Sequence, residues 1–395
     1  MRILIVDDEK EARMLLGKTL TRLDHEVVEA ASGIEAWDIL EREGISFVIS
    51  DWMMPRMNGL ELCRQVRAAK FENYIYFILL TAKDNKNELI DGMKAGADDF
   101  IVKPFNAGEL DVRIRAGERV LRLERELEER NKKLIYAYDK IRSDLEAAAN
   151  MQKSLLPVSA MTISSLRFDW IFCPCSFVAG DIFGLFELDE NHVGFYLLDV
   201  AGHGVPAAMQ SVTLNKLLSS IASKNNMWHR YGSNANNCDL TSPSMVVREL
   251  NRRFQSDDAM QYFTMVYGVT DLRDGRTKLV QAGHPSPLYQ GKEGKVTLLG
   301  TGGLPVGMLP HVEHEEHEVY FGPGDRLFLY CDGITECHNG KSTDQFSVER
   351  LVRLVEGWRS LPLKELMKGI EQKLRLWRGS EEFEDDITLL AIERV

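Results

Sequence analysis

From residue 110 to residue 155 the sequence contains no proline and mixes Arg, Lys and Glu densely, so it reads as one long charged helix. At 1.5 Å per residue such a helix reaches roughly 65 Å, far beyond the span of an average globular helix. A single small core cannot absorb it, and it divides the chain. Val120, Leu127, Leu134, Ile141, Ala148 and Leu155 recur at every seventh position, with Glu124, Asn131, Tyr138, Leu145 and Gln152 at the second seam position. That second row is apolar only at Tyr138 and Leu145, so the seam is imperfect and a surface helix lying on its own domain is the plainer alternative. Length and seam together favour a dimeric coiled coil, in which Asn131 helps to fix register. Pro157 ends the helix.

The 395 residues exceed one typical core, so two or three units are expected. Before the helix, compact apolar runs at 3–6, 47–50, 76–80 and 100–102 alternate with helically spaced stretches at 12–23, 34–43 and 60–69. That alternation predicts a parallel sheet covered on both faces, with ligands gathering at the carboxyl ends of its strands. Beyond Pro157 the strands are short, at 193–200, 263–271, 278–282, 296–299, 326–330 and 387–392, with helices at 207–222, 244–254, 348–355 and 363–376. Their spacing predicts antiparallel sheets with helices outside, and residues 225–239 read as a surface loop. The whole chain is therefore α/β, with boundaries expected at 1–118, 119–157 and 158–395.

Composition narrows the function classes. Forty-eight basic against 60 acidic side chains leave a net charge of −12, which disfavours broad nucleic-acid binding because that rests on neutralising phosphates. No apolar run approaches the roughly 18 residues of a membrane span, and the opening M-R-I-L-I-V-D-D-E lacks a signal peptide's long apolar stretch. A cytosolic protein without membrane contact is the expectation. Of six cysteines only Cys173 and Cys175 are close in sequence, with no second pair to complete a zinc site, so free thiols are expected.

Asp7 and Asp8 follow the first strand, Asp51 the third, Thr81 the fourth and Lys103-Pro104 the fifth. In a doubly wound sheet these ends converge, and three carboxylates brought together repel unless a hard cation such as Mg²⁺ joins them. Asp51 is then placed to attack a phosphoryl group whose oxygens Thr81 and Lys103 bond. Singly, strand-end Asp and Thr are ordinary turn and cap residues; their repetition at successive strand ends is what points to chemistry. I-L-I-V-D-D, D-W-M-M-P-R-M-N-G, L-L-T-A-K and D-D-F-I-V-K-P-F resemble a two-component response-regulator receiver domain. The resemblance covers about the first 120 residues. It implies a doubly wound parallel-sheet receiver, Asp51 as phosphoacceptor, Asp7, Asp8 and the Met53 carbonyl around Mg²⁺, Thr81 and Lys103 as phosphate-sensing residues, Phe100 as an aromatic switch, and a histidine kinase as phosphodonor.

Four later segments set Asp beside Gly or at a strand end: V-A-G-D at Asp181, L-L-D-V-A-G-H-G at Asp199, L-Y-C-D-G-I-T-E at Asp332, and E-D-D-I-T-L-L at Asp385 and Asp386. Two divalent ions gathered by such carboxylates could bridge a water that attacks a phosphoryl group in line, with no covalent enzyme intermediate. No Cys or Ser nucleophile motif competes with that reading, and its bland alternative is a set of turn-forming D-G and G-D pairs. With G-H-P at His284, G-L-P-V-G at Gly303 and M-Q-K-S-L-L-P at Met151, these motifs resemble the SpoIIE-like branch of the PPM-type serine/threonine phosphatases. That resemblance covers about residues 151–395. It implies a PPM-type sandwich, two Mn²⁺ or Mg²⁺ held by Asp199, Asp332 and Asp385 with the Val200 carbonyl, and Asp181 as a nearby acid. Asp386 can exchange roles with Asp385. The family often carries a further acid shortly after G-D, where this chain has Gly184.

Smaller signals have plainer readings. His311, His314 and His317 alternate with Glu before an apolar strand and read as a solvated edge rather than a chelating tract. His203 in G-H-G suits proton donation to a leaving oxygen or simply a tight turn. Cys331 reads as a small buried apolar residue. Together the two resemblances imply a response regulator whose phosphorylation at Asp51 controls a metal-dependent phosphoserine/phosphothreonine protein phosphatase, acting on a phosphorylated anti-sigma-factor antagonist, as a homodimer through its helix. The rival is a catalytically silent adaptor that holds a sigma factor or other partner; a phosphatase for a small phosphorylated metabolite is a third reading with no pocket motif behind it.

Overall fold

The computed structural model describes residues 1–69, 71, 73–82, 86–158, 161–219, 242–255 and 262–395. The expected surface loop at 225–239 lies outside the described residues. The chain divides into two compact units, Met1–Lys140 and Ile141–Val395.

The first unit alternates β1 (Arg2–Val6), α1 (Lys10–Arg22), β2 (Glu26–Ala30), α2 (Gly33–Glu43), β3 (Phe47–Asp51), α3 (Gly59–Ala68), β4 (Tyr76–Ala82), α4 (Lys86–Lys94) and β5 (Asp99–Lys103), followed by α5 (Ala107–Ser154). The strands form one parallel sheet in the order β2-β1-β3-β4-β5. Both faces are buried, as a parallel sheet with crossover helices requires. Ile3, Ile5, Phe47 and Ile49 pack on one side with Leu110 and Ile114, while Leu4, Val6 and Val48 pack on the other with Ala36 and Leu62. β2 is not among the apolar runs of the sequence because it is an edge strand whose two glutamates face solvent. Asn58 and Glu61 close a reciprocal capping box at the start of α3, which fixes where the chain leaves Asp51.

In the second unit the order is β6 (Thr162–Ile163), β7 (Leu166–Cys173), β8 (Ile182–Glu187), β9 (His192–Val200), α6 (Val205–Ser219), α7 (Pro243–Arg253), β10 (Phe263–Asp271), β11 (Arg276–Ala282), β12 (Leu288–Gln290), β13 (Val296–Leu298), β14 (Glu316–Tyr320), β15 (Arg326–Tyr330), α8 (Asp332–Thr335), α9 (Val348–Gly357), α10 (Leu363–Arg378) and β16 (Ile387–Arg394). Two antiparallel sheets, β14-β11-β10-β9-β8 and β13-β12-β15-β16-β7-β6, pack through Phe168, Phe183, Phe195, Leu197, Leu329 and Leu390. Leu214, Val246 and Leu250 of α6 and α7 cover the first sheet, and Leu351, Leu366 and Ile370 of α9 and α10 cover the second. The layers are thus helix, sheet, sheet, helix.

The long helix is continuous, but its seam divides in character. Leu127, Leu134, Tyr138 and Ile141 are exposed, whereas Gln152, placed in the same seam by its spacing, is 2% exposed and packs inside the second unit. Its role is corrected accordingly: Gln152 hydrogen-bonds within the second unit, because the last turn of α5 is covered by residues 179 and 211. The helix ends at Ser154, so Leu155 lies just beyond it.

Candidate functional site

Parallel β1, β3, β4 and β5 end together, and their last residues supply the first constellation. Asp7 and Thr81 are each 2% exposed, and Asp51 is half-buried. Lys103 Nζ donates to Asp7 Oδ2 at 3.1 Å and to Asp51 Oδ1. Burial opposes charge on the Lys103 ammonium, but its bonds to Asp51 and Asp7 outweigh this and hold its pKa above the ordinary value. Asp51 Oδ2 accepts the Met53 N–H at 3.2 Å, and Asp7 Oδ1 accepts the Glu9 N–H at 2.9 Å. Asp8 and Met53 are exposed at the same edge. Phe100 is half-buried on β5, and the Arg113 guanidinium of α5 lies 5.9 Å from its ring centroid while bonding both oxygens of Asp99. Thus Asp7, Asp51 and Lys103 are in direct contact, and Phe100 is tied to α5 rather than to the acidic edge.

The second constellation lies at one end of the sandwich. Asp181 immediately precedes β8 and is 1% exposed; Asp199 is the penultimate residue of antiparallel β9, paired with Thr264 on β10. Asp332 opens α8, and Gly333 behind it lets α8 approach β16: a Cβ there would stand 2.1 Å from the Asp386 carbonyl. Asp385 and Asp386 lead into β16 and differ sharply. Asp385 is exposed, with Oδ1 accepting the Asp386 N–H at 2.8 Å. Asp386 is 7% exposed and cradles the chain before β8, accepting the N–H groups of Cys175 at 2.9 Å and Gly180 at 2.8 Å.

Burial, followed by the Asp199 and Asp386 charges, pushes Asp181 well above the carboxylate range. Burial and then the charges of Asp332, Asp385 and Asp386 push Asp199 up to about 8, while Asp332 and Asp385 are also raised, chiefly by burial. Asp181 Oδ2 is buried with no hydrogen-bond partner. Among the described residues no three His, Cys, Asp or Glu side chains stand close enough together to hold one ion. Even so, the chemistry of the donor set fits hard divalent cations: oxygen-only ligands, mutual repulsion and an orphaned buried carboxylate oxygen. His203 is exposed on the turn before α6, and its charge reaches Asp385.

Sequence reasoning missed the polar support of this end. Gln152 bonds Ala179, Ser211 Oγ donates to Ala179 O at 3.3 Å, and buried His284 Nδ1 lies 2.7 Å from Thr264 Oγ1, beside Asp199 in the sheet register. The available signals were a glutamine in the helix turn before L-L-P and the histidine of G-H-P. At Gly184 a Cβ would stand 2.6 Å from the Tyr196 ring, so the position faces the helix-covered core and has no room for an acid. The histidine tract divides as well. His317 Nε2 lies 3.5 Å from Thr301 Oγ1 on edge strand β14, but His314 is 8% exposed and its Nε2 is 2.8 Å from Leu304 O. The solvated reading therefore fails for His314, which the 301–307 turn covers. Cys331 is buried, bonding the Asp386 carbonyl from its thiol at 3.0 Å.

The family model described as Stage II sporulation protein E (SpoIIE) matches residues 189–395, more than half of the chain. The chain belongs to the SpoIIE family. Ahead of that region, the response regulator receiver domain model matches residues 3–115. The receiver part is 47% identical over 107 residues to a chemotaxis protein CheY homolog of Campylobacter jejuni, covering 27% of this chain and 82% of that protein. The C-terminal part is 29% identical over 198 residues to phosphoserine phosphatase RsbP of Bacillus subtilis, covering 49% of this chain and 45% of RsbP, so it spans less than half of that relative. The SiaA-PP2C domain of Pseudomonas aeruginosa shares the fold, with a TM-score of 0.55 at 21% identity over 65% of this chain and 98% of that one. This SpoIIE-family chain is a response regulator in which a receiver is fused to a PPM-type phosphatase domain. A receiver implies a phosphodonor such as a histidine kinase, and both domain types generally use divalent metal ions. No described helix is long and apolar enough to cross a membrane.

Proposed function

We propose that phosphorylation of Asp51 controls a metal-dependent phosphoserine/phosphothreonine protein phosphatase whose substrate is a phosphorylated anti-sigma-factor antagonist in the cytoplasm. The observation that carries the catalytic half is the set Asp181, Asp199, Asp332 and Asp385 at one end of the sandwich, where burial and mutual repulsion raise every one of their pKa values. A pure binding surface has no need to gather such charges.

In the receiver, the Asp51 carboxylate attacks the phosphoryl group of the donor, forming an aspartyl phosphate as the donor's phosphorus bond breaks. Lys103 leaves its bonds to Asp7 and Asp51 for the new phosphoryl oxygens, and Thr81 bonds another. Asp7, Asp8 and the Met53 carbonyl are the ligands for Mg²⁺. In the phosphatase domain, Asp199, Asp332 and Asp385 with the Val200 carbonyl would hold two Mn²⁺ or Mg²⁺, and Asp181 would be the nearby acid. When bound, those ions supply charge neutralisation and water acidic enough to react near neutral pH. Asp386 serves as scaffold, because its oxygens are engaged by backbone N–H groups. His203, exposed on the turn before α6, is the candidate proton donor to the departing serine oxygen. The working division is residues 1–118 as receiver, 119–157 as helical linker and 158–395 as phosphatase, paired into a homodimer through the exposed linker face.

The test is hydrolysis of p-nitrophenyl phosphate and of phosphorylated anti-sigma-factor antagonists from the same host by the full chain with Mn²⁺, with and without acetyl phosphate. Activity lost in Asp199→Ala and Asp332→Ala, and changed by acetyl phosphate only while Asp51 is present, is expected. A folded wild-type protein inert toward all of these would favour the adaptor reading.

A further inference from the structure

Between α9 and α10 lies a groove of about 440 Å³ lined chiefly by Phe346, Arg350, Arg353, Lys373, Leu376 and Trp377. Its floor is apolar and tightly held. Phe346 and Trp377 meet edge to face at 5.8 Å, and Trp377 Nε1 donates to Cys337 O at 3.0 Å. Arg350 lies over the Trp377 ring, 4.4 Å from its centroid, and donates to the Gln345 and Phe346 carbonyls at 2.9 and 3.2 Å. That stacking fixes one cation at the floor before any ligand arrives. Leu376 stands 75% exposed at the rim.

The charge of this groove runs against the rest of the protein. The chain carries −12 overall, yet the lining holds three cations and no carboxylate. Glu349, next to Arg350 in sequence, lies outside the lining and accepts the Ser347 hydroxyl, although the charges of Arg353 and Arg350 reach its carboxylate. Among the described residues Arg353 and Lys373 are exposed and form no ion pair. A phosphoprotein with acidic surface would meet general repulsion from this molecule, and a local cationic patch is the way to reverse it at one place. The floor adds a socket for an apolar side chain, which a free phosphate or small anion does not need.

Position ties the groove to the chemistry. Asn339 of the lining follows Asp332 by seven residues, so the two are within about 25 Å even for a fully extended chain. Phe346 N–H donates to Cys337 O and Ser347 N–H to Thr335 O, which anchors the groove to α8, the helix that begins at Asp332. We propose that the groove of Phe346, Arg350, Arg353, Lys373, Leu376 and Trp377 docks an acidic segment of the phosphoprotein substrate, with an apolar side chain of that segment on Trp377 and its carboxylates on Arg353 and Lys373. This deepens the phosphatase reading and rests on it for the identity of the partner.

The test uses the full chain and defined probes. Fluorescein-labelled peptides carry an Asp-Leu-Glu-Phe-Glu tail on either side of a phosphoserine, and control peptides carry Lys at the three acidic positions. Anisotropy measures binding without turnover; Mn²⁺-dependent release of phosphate measures KM and kcat; p-nitrophenyl phosphate reports the chemistry alone. In the wild type the acidic tail should lower Kd and KM by about three- to tenfold relative to the control, as a pair of exposed ion pairs allows. Arg353→Glu with Lys373→Glu should erase that preference while kcat for p-nitrophenyl phosphate is unchanged. Equal binding of acidic and basic tails, or a preference that survives the charge reversal, overturns the proposal. So does a dimer that dissociates on the same charge reversal, which would assign the groove to a second copy. Tail-dependent binding without hydrolysis of any phosphoester would leave the docking groove standing and remove the phosphatase reading; hydrolysis without tail preference would do the opposite.

Discussion

Gln152 holds Ala179 by both sides of its backbone: its Nε2 donates to Ala179 O at 2.8 Å and its Oε1 accepts the Ala179 N–H at 3.0 Å. The next two residues, Gly180 and Asp181, point their N–H groups at Asp386. The last turn of α5 is therefore bonded to the strand entry that carries Asp181, and α5 is the same helix that buries Leu110 and Ile114 in the receiver core. Gln152 thus ties the last turn of α5 to the segment that leads into Asp181.

Replacing Gln152 by Ala should leave the Ala179 N–H unsatisfied at a buried site, while Ser211 Oγ still donates to Ala179 O, costing about 1–3 kcal/mol of stability. A larger effect is expected on turnover, because Asp181 loses its fixed approach. Mn²⁺-dependent p-nitrophenyl phosphate hydrolysis should fall about tenfold in kcat with KM little changed, the mark of a group that positions rather than binds. Gln152→Glu keeps the acceptor for the Ala179 N–H but sets a carboxylate oxygen against Ala179 O at a buried site, and should be at least as destabilised as Gln152→Ala. If Gln152→Ala kept full kcat while melting earlier, the residue would be purely structural.

The pH dependence of the metal-free protein follows from the carboxylates. Asp199 titrates at about 8 in the folded chain, far above an ordinary aspartate. The folded state then binds more protons than the unfolded one between about pH 4 and pH 8, so this stabilisation is present at low pH and is lost as pH rises through 8. Thermal scans after chelation should show the catalytic domain melting several degrees lower at pH 8 than at pH 5, with Mn²⁺ restoring more at pH 8. Asp199→Asn should flatten the profile. A chelated protein whose melting temperature rose across that range would contradict the assignment.

The receiver edge was legible because each functional residue follows a continuous apolar strand, and in a doubly wound sheet strand ends meet whatever the helices do. Asp7, Asp51 and Lys103 needed no further information. The phosphatase end was legible in its acids but not in their division of labour. Asp385 and Asp386 are adjacent and chemically identical, and only burial separates the exposed one from the one capped by Cys175 and Gly180. Gln152 was hidden for a related reason, since a seven-residue spacing is blind to whether a helix face meets a second helix or the end of a sandwich. Strand β8 escaped as an element because it is interrupted by Gly184, whereas edge strand β14 showed only at its apolar end because the rest of it is rich in His and Glu.

Gly184 offers a stability prediction. Gly184→Asp introduces the acid that the family often carries near this place, but here its Cβ meets the Tyr196 ring, whose hydroxyl accepts the Asn215 amide at 3.0 Å. Overpacking of about 1–3 kcal/mol is expected, with a further penalty for a carboxylate in an apolar layer. Denaturant unfolding of the catalytic domain should show a lower midpoint, and Tyr196→Ala in the same chain should recover part of the overpacking loss. An unchanged midpoint in the single variant would mean that the β8 and β9 faces are assigned wrongly.

The linker makes the last prediction. Leu127 is 53% exposed, Leu134 68%, Tyr138 65% and Ile141 60%, a row of large side chains at the two seam positions that the described residues leave uncovered. Water-exposed apolar rows of this length are covered when two such helices pair. Proline at Leu127 removes one helical N–H and clashes with the preceding turn, costing about 3 kcal/mol where the seam begins. If the linker pairs as proposed, the wild type should be a dimer in multi-angle light scattering and Leu127→Pro a monomer, with the receiver and phosphatase cores still folded by circular dichroism. Leu134→Glu should weaken the dimer with no helix break, separating loss of the seam from loss of the helix. A dimer of undiminished mass in both variants would place the interface elsewhere and leave the exposed row without a partner of this kind.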